Sequence, residues 1–202
     1  MNSIELFLLD IGFSWTLGKA IPYVSMILLG FLFIYILQKR IRSLNVFVRY
    51  GIKLIVLVIP FVLYFINSPI YIGDFSNNSI ELTKDSAARE LEGRRLVVLS
   101  IPGCPHCYES IDRMVKLKER VPSMIIEYVV CSSDTMSIAL YQEKGKAAIT
   151  VRLAEDMDAM AQLASGHFPA FVLVNNESPL TKWSNDSFGV LAMDNVEEFF
   201  KK

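Results

Sequence analysis

The sequence predicts an α/β domain over residues 74–202, carried behind two transmembrane helices within residues 1–73. Three observations predict it. Two uncharged runs dense in Ile, Leu and Phe occupy residues 20–38 and 54–73, each close to the roughly 20 residues that cross a bilayer core as a helix. From residue 79 onward, short β-branched runs alternate with helical spacings of apolar residues, the pattern of an α/β fold. The charge divides at the same place. Residues 1–73 hold six Lys/Arg and two Asp/Glu, and residues 74–202 hold fourteen and nineteen, so a +4 segment precedes a −5 segment in a chain of net charge −1.

The same figures exclude several classes. A 52% hydrophobic content is too high for a disordered chain. The balanced, mildly acidic charge gives no footprint for nucleic acid as a partner. Eight prolines and ten glycines exclude collagen-like and low-complexity chains, and no internal repeat is present.

Residues 3–18 mix apolar groups with Glu5, Asp10 and Trp15, and two readings stand open: a short interfacial helix or the start of the first span. The first span is expected at 20–38. The second, at 54–73, contains Pro60, which should kink it rather than end it, because the bilayer leaves helix as the workable state. Between them the connector 39–53 carries Lys39, Arg40, Arg42, Arg49 and Lys53 and no acidic residue. A short loop this basic is expected in the cytoplasm, which puts both termini on the other face. The chain does not open on the basic front and short apolar region of a cleaved signal peptide.

In the domain, residues 96–100 read as a buried strand. Cys107, Ile111, Met114 and Val115 then lie on one helical face, with the helix ending near Arg120. A strand over 124–130, a helix over 134–144, a strand over 147–153 and a helix over 156–165 follow. Residues 169–174 and 180–184 read as a hairpin and 195–202 as a closing helix, giving a mainly parallel central sheet.

Three cysteines are present: Cys104, Cys107 and Cys131. The first two form a C-x-x-C where a strand hands over to a helix. That position matters, because unpaired N–H groups and the dipole at a helix N-terminus favour a thiolate. Pro105 suits the first helical position, where its missing N–H costs nothing. His106 can add positive charge or a hydrogen bond near the Cys104 sulfur. A zinc site would need four ligands, and only Cys131, His106 and His167 remain as soft partners, so no metal is expected. A purely structural disulfide gains little from so short a loop. Cys131 ends the second strand of the domain, where it is either a resolving thiol or a small buried hydrophobe. His167 is either a site residue or a loop residue capping backbone. Tyr128, Phe171 and Trp183 read as packing.

These residues carry a resemblance. A strand, then Cys104-Pro-His-Cys107 opening a helix, then Gly166-His-Phe-Pro169 before another strand resembles the thioredoxin fold, over about residues 80–202. The resemblance implies a cis Phe168–Pro169 bond facing the cysteine pair and helping to bind a substrate chain. The tetrapeptide is similar to that of DsbA-type periplasmic oxidases, although no large helical insertion fits between Met124 and Pro169. In size and anchoring the chain resembles membrane-bound TlpA- and ResA-like reductants. The two-span anchor also has a fainter resemblance to DoxX/MauE-type membrane proteins.

The resemblance implies a thiol–disulfide oxidoreductase of a bacterial inner membrane with its domain in the periplasm. Cys104 would attack, Cys107 would resolve, Phe168 and Pro169 would shape the groove, and Pro105, His106 and His167 would support it. No organic cofactor is implied. The partners implied are protein thiols or disulfides, the lipid bilayer, and a redox protein that resets the dithiol, since the spans contain no cysteine. Two rival readings are a non-enzymatic subunit of a larger membrane complex, and a copper-delivery protein using Cys104, Cys107 and His167.

Overall fold

The computed structural model describes residues 2–68, 73–83, 91–175 and 180–202, and divides the chain into two units, Met1–Ile72 and Gly73–Lys202. The first unit is three helices: α1 Ser3–Asp10, α2 Trp15–Ile41 and α3 Val46–Asn67. Residues 3–18 divide between a short helix and the start of the long one. Asn2 caps α1 with a reciprocal bond to Glu5, while Ser14 caps α2, so residues 15–18 belong to the long helix. Asn2 Nδ2 also donates to Tyr64 Oη (2.7 Å) and Ser68 Oγ (2.9 Å), and Lys19 pairs with the buried Glu5 at 3.1 Å. These contacts fasten α1 to the ends of both long helices.

Two helices, Trp15–Ile41 and Val46–Ile66, are long and apolar enough to cross a membrane. They run further into the basic connector than the uncharged runs do. Lys39 and Arg40 lie in the last turn of α2, Arg49 and Lys53 lie in α3, and the helix continues through Pro60. The expected span of 54–73 is thus shifted: α3 begins eight residues earlier, Gly73 lies in a turn, and residues 69–72 fall outside the described residues. The reason is physical. Hydropathy marks only the stretch that tolerates no charge, whereas Lys and Arg continue a helix and extend their heads to the interface. Helices α2 and α3 approach closely at Gly30, where an added Cβ would meet Leu57 at 2.9 Å.

The second unit holds a six-stranded sheet of β1 Ile80–Leu82, β2 Arg95–Ser100, β3 Ile126–Val130, β4 Thr150–Leu153, β5 Ala170–Val174 and β6 Leu180–Ser184, in the order β1-β6-β5-β2-β3-β4. The helices are α4 Pro105–Arg120, α5 Met136–Gly145, α6 Met157–Leu163 and α7 Val190–Lys201, with a 3₁₀ turn at Asn185–Ser187. The expected parallel sheet is corrected. Only β2–β3 and β3–β4 are parallel, while β2–β5, β5–β6 and β1–β6 are antiparallel. After α6 the chain returns across the sheet and enters β5 from the opposite end.

Strand alternation sorts the core. Val97, Leu99, Val129, Ala170, Val172 and Leu180 face α6 and its Met160 and Leu163. Leu96, Val98, Tyr128 and Phe171, all buried, face the other side. There Phe171 stacks on Phe188 at 3.9 Å, and Arg120 of α4 forms a fork with Glu197 of α7 at 2.9 Å. With both sides of the sheet covered, the interior of β2 reads as a continuous apolar run rather than an alternating one, and in β3 the run is broken at Glu127, which pairs with Arg95 and Arg152. Helix α7 starts five residues before the expected 195.

Candidate functional site

The register of β2 with β5 builds the site. Leu99 opposes Ala170 in antiparallel pairing, so the loop leaving β2 and the loop entering β5 meet at one edge. The first carries Cys104 and the second carries Pro169. Gly103 supplies the left-handed turn (φ +70°) that reverses the chain after Pro102, a conformation open to glycine without cost. Cys104 is then the N-cap of α4, its sulfur accepting the Cys107 N–H at 3.1 Å, with Pro105 in the first turn.

Cys104 and Cys107 form a disulfide with Cα atoms 5.3 Å apart. Cys104 is half-buried and Cys107 fully buried, so partners meet the first sulfur and not the second. The Phe168–Pro169 bond is cis, and the Phe168 carbonyl oxygen lies 3.9 Å from Cys104 Sγ. In the disulfide that sulfur carries no hydrogen, so this is a contact rather than a hydrogen bond. Both geometric expectations for the turn hold.

The other residues singled out in the sequence take different places. His106 is exposed, its Nδ1 3.6 Å from Glu109 Oε2, and among the described residues no hydrogen bond joins its ring to either sulfur. Exposed His167 directs its Nδ1 at the Ser165 carbonyl (2.7 Å). A carbonyl only accepts, so Nδ1 carries the proton, as in the backbone-capping reading. Cys131 is free of disulfides, half-buried, and packs with Phe168 against the α6-side core. Among the described residues no group of three or more His, Cys, Asp or Glu is disposed to hold a metal.

Three supporting devices were not read from the sequence. The first lies under Cys107. Ser110 Oγ donates to the Cys107 carbonyl (2.7 Å), so Tyr128 Oη, 2.8 Å away, must donate to Ser110. Burial pushes the Tyr128 phenol well above its usual value, which keeps that proton in place. Replacing Ser110 with Ala strands a buried phenol donor and is expected to cost about 1–3 kcal/mol. Tyr128→Phe removes the donor with its bond and should cost less. Denaturant unfolding of both variants checks the order, which reverses if the phenol is not a donor to Ser110.

The second device is α5, whose Tyr141 Oη donates to the Ile101 carbonyl (2.9 Å) while Lys144 Nζ reaches the Tyr108 carbonyl (2.8 Å) and Asp112 (3.0 Å). It braces the loop before Cys104 and the turn after it. The third is Lys182, 7% exposed, whose ammonium donates to the Leu163 carbonyl (3.0 Å) and Ser165 Oγ (2.7 Å). Burial lowers its pKa. It pins the end of α6 and the turn that feeds Phe168. Lys182→Met keeps the apolar stem and leaves the Leu163 carbonyl unpaired. We expect about 1–3 kcal/mol of lost stability together with slower exchange at Cys104 in the folded protein. Wild-type melting and wild-type exchange rates would contradict the tether. The signal available in the sequence was a lysine on the inward side of an apolar strand.

No protein-family model matches the chain, and no curated protein matches it. Solved structures give distant likenesses. A secreted Mycobacterium tuberculosis disulfide oxidoreductase homologous to E. coli DsbE is 14% identical, with a TM-score of 0.42 over 56% of this chain and 84% of that one. The thioredoxin domain of a Bacteroides vulgatus thiol-disulfide oxidoreductase is 17% identical, with a TM-score of 0.43 over 65% and 99%. A thiol:disulfide interchange protein from Bacteroides sp. is 18% identical, with a TM-score of 0.42 over 66% and 92%. The chain's own geometry carries the assignment: a sheet covered on both sides, C-x-x-C at the N-terminus of the helix after β2, and a cis-proline turn entering the antiparallel strand beside it. The C-terminal unit has a thioredoxin-like fold.

Proposed function

We propose that this chain is a membrane-anchored thiol–disulfide exchange protein, with residues 1–73 as anchor and 74–202 as a periplasmic redox domain of a bacterial inner membrane. One observation carries the redox part: a half-exposed Cys104 sulfur at a helix N-terminus, bonded to a buried Cys107 and overhung by the Phe168 carbonyl. In the reduced protein the Cys104 thiolate attacks a partner disulfide. A mixed disulfide forms and one partner thiolate leaves. Cys107 then gives its proton to solvent and attacks Cys104 Sγ, closing the intramolecular disulfide and releasing the second partner thiolate. Two electrons pass to the partner, and the reverse sequence oxidises a partner dithiol. Phe168 and Pro169 offer backbone to the partner chain, and His106 adds positive charge near the helix start when protonated.

The anchor reading is supported by the two long apolar helices and by five basic residues, without an acid, around their connection. That bias supports a cytoplasmic connection with the domain on the other face. Two arms test the proposal on the full chain. In glutathione buffers of graded poise, the Cys104–Cys107 pair should interconvert reversibly, within the roughly −120 to −300 mV range of exchange proteins. A pair that stays oxidised beyond that range is a structural disulfide and favours the subunit reading. A reporter active only outside the cytoplasm, fused after Lys202, should be active. An expressed but silent fusion overturns the orientation.

A further inference from the structure

We propose that the basic end of the α2–α3 hairpin is a binding site for the phosphate headgroup of an anionic phospholipid. The inference rests on the two-span reading above and goes beyond it. A cleft of about 850 Å³ lies between the helices, lined by four cations, Lys39, Arg42, Arg49 and Lys53, and by Tyr35 and Ile36. Orientation in the membrane needs only that positive charges sit near the connection, wherever they lie. Here four of the five share one cleft, and Arg40 does not line it.

No Asp or Glu occurs between Asp10 and Asp74, so among these residues no carboxylate neutralises the cluster. Two of the four are guanidinium groups, whose fork matches the oxygens of a phosphodiester. Basic pockets between membrane helices suit acidic headgroups for this reason. The apolar side of the cleft selects a lipid over a free anion. Exposed Ile36 continues into exposed Leu32 and Leu28, one and two turns back along α2. This apolar track leaves the cleft along the helix and gives an acyl chain a place that inorganic phosphate would leave unused.

The test is native mass spectrometry of the full chain in non-ionic detergent, offered phosphatidylglycerol, phosphatidylcholine of the same acyl chains, or glycerol 3-phosphate. Phosphatidylglycerol should be retained about tenfold or more over phosphatidylcholine, and glycerol 3-phosphate should neither bind detectably nor displace it. Arg42→Gln with Arg49→Gln should remove the preference. Arg42→Lys with Arg49→Lys, which keeps the charge and loses the fork, should retain only part of it, and Arg40→Gln, outside the cleft, should leave it intact. Equal retention of the two lipids by the wild-type chain overturns the site, as does an equal loss in the Arg40→Gln variant, and displacement by glycerol 3-phosphate overturns the lipid. Carbonate washing of membranes separates the two readings. A chain stripped by carbonate overturns the anchor and the site together, whereas a resistant chain without lipid preference overturns the site alone.

Discussion

Replacing Cys104 with Ser should reduce thiol–disulfide exchange to the uncatalysed background, and replacing Cys107 with Ser should instead halt the chain as a mixed disulfide. The asymmetry follows from burial. With Cys104 removed, the remaining thiol of the pair is fully buried at the first turn of α4, where no partner sulfur reaches it. With Cys107 removed, the half-exposed Cys104 still attacks, but nothing resolves the product. Non-reducing electrophoresis of the full chain in membranes, followed by mass spectrometry, reads both outcomes. Cys107→Ser should accumulate partner-linked species that reductant releases, and Cys104→Ser should accumulate none. Reversed behaviour would exchange the two roles. Near-normal exchange in Cys104→Ser would remove the pair from the chemistry.

The largest effect on stability is expected at Phe171. Its ring is fully buried on the α4/α7 side of β5 and stacks on Phe188, which in turn meets Trp183 edge to face at 5.5 Å. Truncation to Ala removes one end of this three-ring row and leaves a cavity against the Phe188 ring. The usual cost of a buried Phe→Ala is about 3–5 kcal/mol, a large share of the roughly 5–15 kcal/mol that holds a domain folded. A fall of about 10–20 °C in the domain's melting temperature should follow, with Trp183 emission as a reporter inside the stack. Met136→Ala, at an exposed position on α5, should shift stability by about 0.5 kcal/mol or less. A Phe171→Ala protein that melts with the wild type would show that the stack contributes no such share of the domain's stability.

What was legible in the sequence was local. The C-x-x-C pair, Pro105 in the first turn and the strand before them lie within a dozen residues, so propensity and capping chemistry specify them together. Pro169 was reached through the resemblance to the thioredoxin fold, by its order in the chain, and the antiparallel register of β2 and β5 is what brings its loop to the cysteine pair. Sheet direction was not legible, because whether a strand enters parallel or antiparallel depends on how α6 recrosses the sheet. Strand β1, three residues long, is too short to show a period. Lys182 was missed because its partners, the Leu163 carbonyl and Ser165, lie on a different element. His167 turned to its own turn's carbonyl, a local bond that competes with any role at the sulfurs.

Exchange by this chain requires Cys104 to be the reactive thiol, and the rate at which each cysteine of the reduced full chain is alkylated at neutral pH measures this directly. With iodoacetamide in limiting amount and peptide mass spectrometry as the readout, Cys104 should be modified about tenfold or more ahead of Cys107 and Cys131, because it alone combines a helix N-terminus with exposure to solvent. Modification of Cys131 or Cys107 first, or of all three at one rate, would contradict it.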